Sequence, residues 1–322
     1  MTELAARLLA GERRALARAM TLAESSRTDH REAAEKLLIA TMTESGKAVR
    51  LGLSGPPGVG KSTFIEAFGL SLLQRGLKVA VLAVDPSSQR TGGSILGDKT
   101  RMEALSRAPG AFIRPSPAGR TLGGVARRTR DCMLLAEGAG YDVILIETVG
   151  TGQSETAVAD LTDSFLLILP PAGGDELQGI KKGVVELADL VVINKADGAL
   201  LDSANRAAAE YRSALRMLRP AAANWVPPVI KVSALQQAGM DKVWEAVTGH
   251  REALGPAGIA AKRKEQAHAW FWRELQEGLL EAFRADPAVT TELPAIEEAV
   301  EQGILLPSRA AKQLLVRFRA EG

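Results

Sequence analysis

Gly55-Pro56-Pro57-Gly58-Val59-Gly60-Lys61-Ser62 decides how the rest of this 322-residue chain is read. The stretch fits G-x-x-x-x-G-K-[ST], the pattern of a phosphate-binding P-loop. An apolar run at 49–53 precedes it and reads as a buried strand. Thr63, Phe64, Ile65, Ala67 and Phe68 follow at helical spacing. Strand, glycine turn and helix is the setting this pattern needs. A helix start leaves backbone N–H groups without intrahelical partners and carries partial positive charge, and glycines let the backbone close around phosphate oxygens. Lys61 is expected to place its charge on the β- and γ-phosphates and Ser62 to offer its hydroxyl to Mg²⁺. Gly55 through Thr63 then form the phosphate side of a nucleotide site.

Length and composition allow one large domain with appendages: 46% of residues are hydrophobic and 24% charged. A net charge of +2, from 40 basic and 38 acidic residues, gives no case for a nucleic-acid surface. The single cysteine, Cys132, cannot form an internal disulfide and lies in an expected helix, where it reads as a small buried side chain. His30, His250 and His268 are far apart, so a Cys/His metal site is unsupported. No apolar run reaches the roughly 18 residues of a membrane span. Glu3, Arg7, Glu12, Arg13 and Arg14 interrupt any apolar signal core. The expectation is a cytoplasmic protein with no membrane partner.

From Val49 the chain alternates short apolar runs, at 49–53, 79–84, 111–113, 143–146, 165–169, 190–193 and 229–232, with helical stretches at 62–74, 125–137 and 199–218. Runs this short and this rich in Val, Ile and Leu read as buried strands of a mainly parallel sheet. The expected class is α/β, a doubly wound sheet with helices on both faces, whose ligands sit at the carboxyl ends of the strands. Residues 1–47 read as an N-terminal helical segment, with Asp29 and Glu32 spaced as a capping box and Gly46 as a stop. Residues 48–254 read as the nucleotide-binding domain and 255–322 as a helical tail. In the tail, 262–283 reads as one helix ended by Asp286-Pro287. Trp272, Leu275, Leu279 and Phe283 form one apolar stripe and Ala311, Leu314, Leu315 and Phe318 another. Such faces must pack on their own domain or on a second copy of the chain.

Polar motifs follow the strand ends. After 79–84 come Asp85-Pro86-Ser87-Ser88 and a glycine-rich run ending at Asp98-Lys99-Thr100-Arg101. Asp85 reads as a magnesium ligand or as a turn cap before Pro86, and Asp98 is a second candidate for the ion. Glu147-Thr148-Val149-Gly150 ends the 143–146 run. Glu147 would orient a magnesium-bound water, and the Gly150 N–H would sense the γ-phosphate. Gln153 either orients the attacking water or is only a polar loop residue. Asn194-Lys195-Ala196-Asp197 follows 190–193. The Asp197 carboxylate can accept from both N1–H and the 2-amino group of guanine, whereas adenine would leave it unpaired. Lys195 would lie along the purine and Asn194 would tie the loop to the P-loop. Ser233-Ala234-Leu235, after the last strand, would close the guanine side, with the Ala234 N–H donating to O6. Arg120, Arg127, Arg128 and Arg130 read as a solvated helix face, Arg127 pairing with Asp131. The run at 170–182 reads as a long loop past a strand end, with Asp175 as a helix cap or part of a third nucleotide-sensitive segment.

Taken together, Gly55 to Ser62, the run from Asp85 through Gly92-Gly93-Ser94-Ile95-Leu96-Gly97-Asp98-Lys99-Thr100-Arg101, Glu147-Thr148-Val149-Gly150 with Gly152-Gln153-Ser154-Glu155, and Gly174-Asp175-Glu176-Leu177-Gln178-Gly179 resemble the MeaB/ArgK family. These are GTPases associated with adenosylcobalamin-dependent methylmalonyl-CoA mutase. The resemblance implies a P-loop NTPase G domain that hydrolyses GTP to GDP with Mg²⁺, and a chaperone role that gates cofactor loading and protects the mutase. It implies a homodimer built partly through the C-terminal helices. It assigns Ser62, Asp85, Asp98 and Glu147 to the magnesium region, makes 170–181 a third switch, and offers Gln178 and Lys181 as relays to the mutase. Two departures are visible: most G proteins place an aspartate where Glu147 stands, and Thr151 stands where a small apolar residue is expected. A metal-insertion GTPase is the alternative in the same superfamily, though the His- or Cys-rich segments usual there are missing. A P-loop kinase is a further alternative, disfavoured by Asn194-Lys195-x-Asp197.

Overall fold

The computed structural model describes residues 2–84, 102–116, 122–148, 154–171, 182–217 and 225–320. Asp85, Asp98, Gly150, Gln153, Gln178 and Lys181 lie outside them. The chain divides into two compact units between Lys264 and Glu265.

In the first unit, all seven apolar runs form strands: β1 Val49–Ser54, β2 Val79–Val84, β3 Ala111–Ser116, β4 Val143–Thr148, β5 Ser164–Leu169, β6 Leu190–Ile193 and β7 Val229–Lys231. They make one sheet in the order β3-β2-β4-β1-β5-β6-β7, and every pairing is parallel. A parallel sheet needs crossover connections that cover both faces, which is why β4, β5 and β6 are buried at every position. Three helices, α1 Thr2–Leu9, α2 Arg13–Glu24 and α3 Thr28–Thr41, precede β1. α4 Lys61–Gln74 follows β1 and packs Phe64, Ile65, Phe68 and Leu72 against Leu51, Leu53, Val81 and Leu145. α5 Glu103–Arg107 precedes β3, α6 Leu122–Gly138 precedes β4, and α7 Ser154–Ala159 and α8 Lys182–Glu186 flank β5. α9 Leu201–Met217 lies between β6 and β7. The N-terminal helices join the core through α6: α2 and α3 both pack on it. Arg114 on β3 pairs with Glu24 and donates to Thr21 Oγ1 at 3.1 Å. Cys132 is buried beside Glu24, and burial pushes its thiol well above the usual value, so it stays a protonated core side chain.

α10, Met240–Ala285, leaves the helical conformation at Gly255 (φ 65°, ψ 171°) before Pro256, because proline disfavours helical backbone in the residue ahead of it. The helix expected at 262–283 is thus the later part of a longer element. In the second unit, α11 Pro287–Glu301 and α12 Pro307–Ala320 close a small core of Val289, Ile296, Ala310 and Leu314, with Phe283 and Phe318 ring to ring at 5.4 Å. The preceding helix ends at Ala285, directly before Asp286-Pro287. The same two residues also open α11: Asp286 accepts from Ala288 N at 2.9 Å and Val289 N at 3.1 Å, capping a new helix that proline at N1 favours. One expectation is corrected: Asp29 is not a cap. Arg27 occupies the N-cap of α3, and Asp29 sits in its first turn, pairing with Arg27 at 2.8 Å.

Candidate functional site

The carboxyl end of the sheet gathers the expected motifs. Gly55 to Gly60 turn tightly between β1 and α4. A Cβ on Gly55 would stand 2.2 Å from the Ile168 carbonyl oxygen of β5, so only glycine fits there. Gly60 caps α4 with left-handed backbone (φ 88°) and offers no side chain to its first turn. The Gly58 Cβ position meets nothing within 4 Å, leaving an open cradle over that turn. Lys61 begins α4, buried to 9% exposure, and its Nζ donates to the Gly55 carbonyl at 2.7 Å and the Pro56 carbonyl at 3.2 Å. The ammonium thus lies under the loop, within reach of anything seated on it. Ser62 and Thr63 continue the first turn.

The loop from Asn194 to Asp197 is fastened to this cradle. Asn194 is 1% exposed; its Nδ2 donates to the Val59 carbonyl at 2.9 Å and its Oδ1 accepts from Ala234 N at 3.1 Å. One amide thereby joins the P-loop, the β6 end and the loop after β7. Lys195 takes left-handed backbone (φ 59°) and its Nζ donates to the Gly58 carbonyl at 2.8 Å, laying its stem across the opening between the loops. Asp197 accepts from the Ser233 hydroxyl, which also accepts from Gln236 N at 3.1 Å. Gly55 to Thr63, Asn194, Lys195, Asp197, Ser233 and Ala234 therefore belong to one continuous rim. Leu235 is 81% exposed and forms its outer edge.

At the end of β4, Glu147 is the penultimate residue and pairs in register with Leu53 of β1 and Ala83 of β2. It is 8% exposed and lies on the sheet face that carries α4. Ser62 and Glu147 are hard oxygen donors, and their chemistry suits Mg²⁺, which takes few protein ligands and completes its shell with water and phosphate. Among the described residues no group of three or more His, Cys, Asp or Glu side chains could hold a metal ion by itself. Just past Glu147, the buried Thr148 Oγ1 donates to Ser54 Oγ at 2.9 Å. Sequence reading missed this pair, whose only signal is that each residue abuts a motif.

Three comparisons bear on this geometry. Residues 16–288 match the family model described as Methylmalonyl Co-A mutase-associated GTPase MeaB. The chain is 51% identical to the Methylmalonic aciduria type A homolog, mitochondrial, of Mus musculus, covering 97% of this chain and 78% of that protein. It is 48% identical to GTPase ArgK of Escherichia coli strain K12, covering 96% and 93%. Among solved structures, one described as a LAO/AO transport system kinase superposes with a TM-score of 0.78 at 40% identity, over 99% of this chain and 97% of that one.

Proposed function

We propose, for a chain that belongs to the MeaB family of methylmalonyl-CoA mutase-associated GTPases, that its GTP turnover serves an adenosylcobalamin-dependent acyl-CoA mutase, gating cofactor loading and protecting the mutase. The observation that carries this reading is the family match across 16–288, which spans the whole sheet and both halves of the nucleotide rim.

In the mechanism we infer, the base sits against Asp197, Ala234 and the Lys195 stem, and the phosphates lie on Gly58 to Ser62. Water attacks the γ-phosphorus in line. The bond to the β–γ bridging oxygen breaks, and GDP leaves with that electron pair. Lys61 stabilises the charge on the transferred group and the leaving oxygen. Ser62 and Glu147 would hold Mg²⁺ directly or through its water, with Asp85 and Asp98 as further candidates; the ion, when bound, neutralises phosphate charge. Gly150 would donate its N–H to the γ-phosphate, and Gln153 would orient the water. Gln178 and Lys181 would relay the nucleotide state to the mutase.

A homodimer belongs to the same proposal. In the second unit Phe271, Trp272, Leu279 and Leu280 are each about half exposed or more along one helix, an apolar stripe that a second copy would cover. Among the described residues no helix is long and apolar enough to cross a membrane.

The test mixes the full chain with an adenosylcobalamin-dependent methylmalonyl-CoA mutase and follows complex mass and GTP hydrolysis. A nucleotide-dependent complex with a raised hydrolysis rate is expected. No complex with GDP or a GTP analogue, and an unchanged rate, would overturn the mutase role while leaving the GTPase assignment standing.

A further inference from the structure

We propose that the hydroxyl pair Thr148–Ser54 is a positioning element for GTP hydrolysis, fixing the Glu147 carboxylate against the first turn of α4. Resting on Glu147 as the metal-side carboxylate, it adds what holds that carboxylate in place.

β1 and β4 are adjacent and parallel, and Leu53 pairs with Glu147. Side chains alternate faces along a strand. Leu53 and Leu145 face α4 in the main core, so Glu147 faces it too. Ser54 and Thr148 come one residue later and face the other way. They share the side of Gly52, whose Cβ would meet Val158 of α7 and Thr162 at 2.8 Å. There Thr148 Oγ1 donates to Ser54 Oγ at 2.9 Å, with Ser54 1% and Thr148 0% exposed. Valine and alanine would fill nearly the same space with no polar atom to satisfy. A buried hydroxyl costs free energy unless it is bonded. What the pair adds is a fixed distance at the strand ends, where the sheet ladder gives out.

Its position gives that distance a consequence. Ser54 directly precedes Gly55, whose carbonyl accepts from Lys61, and Thr148 directly follows Glu147. The pair therefore pins two backbone points, each one residue from a group of the phosphate site. Misplacement of a reacting constellation by about 1 Å can cost up to about 100-fold in rate.

The experiment measures kcat and KM for GTP and the Mg²⁺ concentration giving half-maximal binding of fluorescent GDP, on the full chain. Thr148→Val should lower kcat about tenfold, leave KM within about twofold, and raise the Mg²⁺ midpoint several-fold. Thr148→Ser keeps the hydroxyl and should return both to within about twofold of wild type. Ser54→Ala/Thr148→Val removes both partners and leaves no orphaned hydroxyl, so it should fold and match the single variant rather than compound it. The inference is overturned if Thr148→Val keeps wild-type kcat and Mg²⁺ midpoint while only its thermal midpoint falls. It is also overturned if Ser54→Ala, measured alone, and Thr148→Val show losses that multiply in the double. Glu147→Gln separates the two levels. If it shifts the Mg²⁺ midpoint and Thr148→Val does not, positioning alone is refuted. If Glu147→Gln shifts nothing, the metal-side reading fails and this inference falls with it.

Discussion

The Asn194 side-chain amide donates to the Val59 carbonyl at 2.9 Å, so the residue opening the Asn-Lys-x-Asp loop is fastened to the middle of the P-loop. Its oxygen holds Ala234 N, which makes this one side chain the joint between the P-loop and the loop after β7. Asn194→Ala removes two buried hydrogen bonds, worth about 2 kcal/mol together. Both bonds are present without nucleotide, so the thermal midpoint of the nucleotide-free chain should fall by several degrees, and GDP, read by fluorescent-nucleotide titration, should bind up to about 30-fold more weakly as the two loops lose their fixed spacing.

Lys61 lies under the loop it serves, bonded to the Gly55 and Pro56 carbonyls. Lys61→Ala should lower single-turnover GTP hydrolysis by at least about 100-fold, the scale of losing one transition-state donor. Hydrolysis at the wild-type rate would remove Lys61 from the site.

At the opposite end of the sheet, Asp163 is the hub of a buried charge network. Arg263 grips it with Nε at 2.8 Å and Nη2 at 2.7 Å, Arg251 adds a bond at 2.8 Å, and the Arg50 N–H donates at 3.1 Å. Arg263 also reaches the carbonyls of Gly46 and Ala48, tying the first part of the chain to α10. Burial pushes the Asp163 carboxyl up, but the Arg263 hydrogen bond and charge pull it further down, and it ends below the usual carboxylate value. A depressed carboxyl contributes stability above its unfolded value, near pH 4, and loses it as pH falls through the folded value. Asp163→Asn should cost about 2 kcal/mol in urea unfolding at pH 7, because it strips partly buried guanidinium groups of their charged acceptor. The variant should also lose part of the wild-type decline below pH 4.

His250 supplies a second pH window. It is 1% exposed, shares a 2.7 Å hydrogen bond with Ser164, and has Nε2 3.4 Å from Asp189. Burial lowers its pKa; Asp189 and Asp163 oppose this, while Lys262 and Arg251 add to it. The folded ring stays neutral where the unfolded ring takes a proton. Stability is therefore full above about pH 6.5 and declines as pH falls from there toward the folded value. Urea midpoints between pH 8 and 5 should show this decline in the wild type and a flatter profile in His250→Asn.

The sheet was legible because most strands carry a short Val, Ile or Leu run, buried at every position in β4, β5 and β6, and the motifs directly follow such runs. The 143–148 strand shows both parts: Val143 to Ile146 announce the strand, and Glu147 announces the site. What stayed hidden is set by partners distant in sequence. Nothing near Asp163 signals that Arg251 and Arg263 will meet it, and Ser54 and Thr148 become a pair only once β1 lies beside β4. α11 was missed because Asp286-Pro287 stops one helix and starts the next with the same two residues. The base-contacting roles proposed for Asp197 and Ala234 rest on their chemistry; in the structure Asp197 accepts from the Ser233 hydroxyl and the Ala234 N–H donates to Asn194.

The most direct measurement is competition against fluorescent GDP on the full chain and on Asp197→Asn. The account predicts that GTP displaces the probe from the wild-type chain while ATP at about 100-fold higher concentration does not. It also predicts that Asp197→Asn shifts preference from guanosine toward xanthosine nucleotides. Displacement by ATP as readily as by GTP, or an Asp197→Asn variant with unaltered base preference, would contradict a guanine nucleotide held between the P-loop and the Asn194–Asp197 loop.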